Sequence, residues 1–83
     1  MGLFHYLEIR IFEFFGEDEK SLEIKNVSRE DLEELKNHLA DWFWHMVIFK
    51  GNITEFHFDT EKDIIKVILD LDEGEIRVKR CPK

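Results

Sequence analysis

The 83-residue chain is predicted to be a single α+β domain spanning residues 1–83, with element order ββαβββ and one long helix laid across an antiparallel sheet. Three observations predict it. Residues 3–15 alternate in side-chain direction, Ser28 opens a well-marked helical pattern, and residues 53–80 break into three alternating segments separated by turn residues. An apolar fraction of 43%, with 13% aromatics, is enough for one small core.

In the first segment Leu7, Ile9 and Ile11 share one side of an extended chain, and Phe4, Tyr6, Phe12 and Phe14 share the other. A polar turn over Gly16–Lys20 follows. Leu22 and Ile24 then alternate with Glu23 and Lys25, so the first two strands are expected to form a hairpin. At the helix start Ser28 suits the N-cap, Asp31 the reciprocal capping position, and Val27 with Leu32 the two staple positions. Glu30, Asp31, Glu33 and Glu34 complement the positive helix N-terminus. Leu32, Leu35, Leu39, Trp42, Phe43 and Met46 fall on one stripe at helical spacing, which predicts a helix from Ser28 to Phe49. Lys50-Gly51-Asn52 reads as its C-terminal stop. Ile53–Asp59, Asp63–Leu71 and Glu75–Arg80 are expected as an antiparallel meander, with Asp72-Glu73-Gly74 as its last turn.

A helix is about 10–12 Å across, and five strands spaced about 4.8 Å apart form a sheet nearly twice as wide. One helix therefore leaves apolar surface uncovered. Phe4, Tyr6, Phe12, Phe14, Ile64 and Ile68 are expected on the sheet face away from the helix, as an apolar patch. Trp44 and Ile48, four residues apart, are expected on the helix side opposite the core stripe, in line with Asn37 and Asp41. Large aromatics with polar neighbours anchor protein interfaces, so these four residues are the candidate partner or dimer interface.

The formal charge is −7, with all 19 carboxylates in the first 76 residues and Arg77, Lys79, Arg80 and Lys83 closing the chain. So acidic a body repels nucleic acid and anionic membrane, and favours basic protein partners or none. An alternative uses the basic end, with aromatics on an open sheet face, to hold single-stranded nucleic acid. A third reading is a metal-dependent nuclease: Asp18 with Glu23-x-Lys25 resembles in miniature the Asp...Glu-x-Lys arrangement of restriction-type nucleases.

Other chemistry finds little footing. His38 and His45 lie two helical turns apart, about 10 Å, too far to share a metal ion. Asp41 stands one turn before His45, a spacing that suits half of a metal site or a simple ion pair. Glu55, His57 and Asp59 share a strand face but point in parallel. Ser28 serves as a cap, and Cys81 sits in the terminal segment where a nucleophile is poorly positioned. The four glycines are isolated, so no phosphate loop forms. No enzyme activity, cofactor, metal or small-molecule substrate is expected. The single cysteine and the charges interrupting the N-terminal apolar stretch predict a reducing, cytoplasmic setting without a secretory leader or membrane span. Absence of glutamine with abundant Glu and Lys fits a protein from a hot environment.

Overall fold

The computed structural model describes residues 4–83. Its elements run α1 (Phe4–Phe15), β1 (Ser21–Ile24), α2 (Arg29–Leu39), β2 (Met46–Lys50), β3 (Ile53–Asp59), β4 (Asp63–Asp70) and β5 (Glu75–Pro82). All five strands join one antiparallel sheet in the order β1-β5-β4-β3-β2. The α+β class and the β3–β5 meander match the sequence expectation; the order αβαββββ does not match ββαβββ.

The first difference is that residues 4–15 are helical, Leu3 lying outside the described residues. Phe4, Leu7, Ile11 and Phe14 are buried at helical spacing, whereas Tyr6, Ile9 and Phe12 are exposed. The apolar residues of this stretch are so placed that a period of two and a period of 3.6 are both satisfied by the sequence. Packing against α2 decides between them. The strand that does precede α2, β1, pairs with β5 rather than with residues 3–15, from Ser21 opposite Lys79 to Ile24 opposite Ile76.

The second difference is the length of α2, which starts as expected but ends at Leu39. Ser28 Oγ accepts from the Asp31 amide at 3.1 Å, while Val27 and Leu32 are buried as the staple pair. Beyond Leu39 the helical ladder tightens, with the Asp41 amide donating to His38 and the Trp42 amide to Leu39. The Trp44 indole Nε1–H donates to the same Leu39 carbonyl, a second bond on an acceptor at the helix end. Met46–Lys50 then pairs with β3 through the two-residue loop Gly51-Asn52, where Gly51 adopts φ +58°. Positive φ at the first loop residue is the glycine-demanding position of a tight hairpin. The same Lys-Gly-Asn triplet that serves as a helix stop is thus a hairpin turn, and the β-branched and aromatic run before it becomes a strand.

Both helices cover one face of the sheet. The core joins Phe4, Leu7, Ile11 and Phe14 of α1 and Leu32, Leu35 and Leu39 of α2 to the inward row Phe56, Ile65, Val67, Leu69, Ile76 and Val78. Arg80 ties the layers together: its guanidinium donates to the carbonyls of Phe14, Phe15 and Glu17, and its Nε to that of Glu19. Val27 is held by Gly74, whose carbonyl accepts the Val27 amide at 2.9 Å. Gly74 has φ +67°, and a Cβ there would stand 2.8 Å from the Val27 carbonyl oxygen. Asp70, buried at the start of the same turn, accepts from the Asp72 and Glu73 amides.

Candidate functional site

Two helices about 10 Å across cover roughly four strands spaced 4.8 Å apart, so a fifth strand is left over. That strand is β2, at the sheet edge. Met46 and Phe49 are 54% and 69% exposed, Val47 is exposed, and Ile48 is half-buried. Register places Val47 and Phe49 in line with Phe56 and Thr54, on the helix side, and Ile48 in line with Glu55 and Ile68, on the open side. Apolar side chains therefore emerge on both faces of an edge whose outer backbone groups have no strand partner among the described residues, an arrangement that edge strands normally avoid.

Beside β2, on the helix side, α1 and the loop from α2 to β2 enclose an open groove of about 660 Å³. From α1 come Glu8, Ile9, Phe12 and Phe15, from the loop Asp41 to Trp44, and from β3 Phe58. The loop is held by its aromatic rings. Trp42 and Trp44 stack at 5.8 Å between centroids, and Trp44 leans on Phe56 at 5.1 Å. Phe12 and Phe15 meet Trp42 edge-on at 6.1 and 6.3 Å, with interplanar angles of 87° and 70°. Phe43 is 91% exposed and Phe12 69%, so rings line the groove yet remain open to an incoming group. Only Glu8 and Asp41 bring charge to the lining. Glu8 stands 3.7 Å from His38 Nδ1.

The expected interface residues are redistributed. Trp44 and Asp41 meet at this groove, with Trp44 half-buried and Asp41 exposed. Ile48 lies on the opposite face of the sheet, and Asn37 is exposed on α2, so the four do not form the single helical spot the sequence predicts. The second expected patch also dissolves. Phe4 and Phe14 are core residues, Tyr6 and Phe12 are exposed on α1, and Ile64 and Ile68 are half-buried on the open sheet face. Phe12 belongs to that expected patch but meets the groove from a helix, and Ile9, Phe15 and Phe58 are not marked as a site by the sequence pattern. The signal is present as Ile9, Phe12 and Phe15, spaced three apart on the flank of a helix rather than along a strand.

The two arginines of the basic terminal segment are engaged internally, while Lys79 and Lys83 are exposed. Arg77 pairs with Glu75 at 2.8 Å and Asp70 at 3.6 Å, and Arg80 holds the end of α1 and lies 3.6 Å from Asp63. The open sheet face carries no Phe, Tyr or Trp among the described residues, since Phe56 and Phe58 face the helices. His45 accepts the Asp59 amide on Nδ1 at 3.0 Å instead of meeting Asp41, and His57 contacts Glu55 at 3.1 Å. Among the described residues no group of three His, Cys, Asp or Glu side chains is placed to hold a metal ion. No helix of those residues is long and apolar enough to cross a membrane.

No protein-family model matches the chain, and neither curated proteins nor solved structures give a significant match.

Proposed function

We propose that the chain is a small acidic, non-enzymatic protein-binding module whose first partner is a second copy of itself, joined along β2. The observation that carries this reading is the uncovered apolar edge strand. Its sequence Met46-Val47-Ile48-Phe49-Lys50 is centred on Ile48, so antiparallel pairing about a twofold axis sets Ile48 against Ile48 on the open face and Val47 against Phe49 on the helix face. Met46 then stands opposite Lys50. Two five-stranded sheets become one of ten strands, and the unpaired edge groups are satisfied. The strand itself contains no carboxylate, so the −7 charge of each copy acts from elsewhere and is screened over about 8–10 Å at moderate salt.

Light scattering over a dilution series under reducing conditions tests this. A mass twice the 10.1 kDa of the chain is expected, strengthened by added salt and lost in Ile48→Lys with an unchanged circular dichroism spectrum. A chain that stays monomeric at high concentration, or a dimer indifferent to Ile48→Lys, removes the proposal. Adaptor or inhibitor roles toward other proteins then rest on the surfaces left outside the seam, where most of the acidic charge lies.

A further inference from the structure

The groove between α1 and the Asp41–Trp44 loop belongs to one chain and has its own chemistry, distinct from the β2 edge. Its walls are aromatic, with Phe12 and Phe15 edge-on to Trp42 and Trp42 stacked on Trp44, and among the described residues Glu8 and Asp41 alone bring charge to its lining. Aromatic faces attract cations through their negative quadrupole, and two carboxylates at the rim add long-range attraction of the same sign. An anion is repelled there. A bare ammonium is strongly hydrated and loses that water on entering apolar walls, whereas an alkylated ammonium is weakly hydrated and presents methyl groups that the rings can pack. A volume of about 660 Å³ is larger than one such head group and leaves room for an apolar stem along Ile9 and Phe58. We propose that this groove binds a methylated ammonium group carried on an apolar stem, without a neighbouring anion.

Both tryptophans of the chain, Trp42 and Trp44, line the groove, so their emission reports occupancy directly. The full chain is titrated with choline chloride and with a trimethyllysine amide at constant ionic strength, and with 3,3-dimethylbutan-1-ol as the uncharged isostere of choline. Saturable emission changes with the cations are expected, with the isostere about tenfold weaker. Asp41→Asn and Glu8→Gln should each weaken cation binding about threefold without affecting the isostere. Phe12→Leu, an exposed position that keeps its apolar bulk, should erase much of the preference for charge. Tighter binding of trimethyllysine than of choline supports the proposal with a protein side chain as the source; the reverse order supports it with a free small molecule. Equal binding of choline and its isostere overturns it, as does an absence of saturation through the millimolar range. A response to phosphatidylcholine vesicles alone also overturns it, because a phosphate would then be tolerated beside Glu8 and Asp41.

Discussion

Replacing Arg80 by Met should unfold more of this protein than any other single change on its surface layer. The guanidinium donates to the carbonyls of Phe14 at 2.7 Å, Phe15 at 3.3 Å, Glu17 at 2.6 Å and Glu19 at 2.8 Å, and lies 5.0 Å over the Phe14 ring. Its side chain is only 17% exposed. A hydrogen bond from a charged donor contributes about 1.5–3 kcal/mol, and a cation at a partly buried helix C-terminus up to about 2. These contributions describe the same contacts and do not add. The Glu17 and Glu19 carbonyls lie in an exposed turn and recover water when the arginine is lost, whereas those of Phe14 and Phe15 close α1 against the core. We therefore expect Arg80→Met, which keeps the apolar stem, to cost about 3–4 kcal/mol. A domain of 83 residues has roughly 4–12 kcal/mol in all, so the variant loses a large fraction of it. The assay is urea unfolding with thermal melts, for which each kcal/mol lowers Tm by about 4–8 °C in a domain of this size. Arg80→Lys should fall between the two, because one ammonium cannot fork to four carbonyls. A loss below about 1 kcal/mol for Arg80→Met would refute both the magnitude and the docking of α1 on β5.

Gly74→Ala combines a positive φ with a Cβ 2.8 Å from the Val27 carbonyl oxygen, and should cost more than about 1 kcal/mol in equilibrium unfolding. Ser28→Ala removes the acceptor for the Asp31 amide and should cost about 1 kcal/mol, with Ser28→Asp close to wild type. Phe43→Ser, at a residue 91% exposed, should leave stability within about 0.5 kcal/mol and lower the retention of the protein on a hydrophobic column. Asp70→Ala leaves the Asp72 and Glu73 amides without their acceptor and Arg77 with Glu75 alone, and should cost about 2 kcal/mol by the same unfolding assay.

The candidate site divides along the same line as the fold. Asp41 and Trp44 are legible as functional candidates from residue type, a large aromatic with an acidic neighbour. Their companions Phe12, Phe15 and Phe58 are 25 or more residues away from Asp41 or lie on the next strand, and only the packing of α1 beside α2 brings them together. Ile48 was paired with Trp44 by counting four residues along a helix. Once the chain turns at Trp44 and runs on as a strand, that spacing sends the two side chains to opposite sides of the sheet.

What the amino-acid sequence determined by itself are the features set by local chemistry. The Ser28 cap, the Val27–Leu32 staple, the alternating rows of β3, β4 and β5 and the Gly74 turn each depend on residues a few positions apart, and all are present. Tertiary structure decided the two segments whose local signals are degenerate. Residues 4–15 place their apolar side chains where helix and strand periods both fit, and the choice falls to which four side chains can reach the α2 face while Arg80 closes the end. Residues 40–50 satisfy a helical stripe until β3 offers an unpaired edge, and the backbone hydrogen bonds of a strand with its glycine hairpin then outweigh about three more turns of helix.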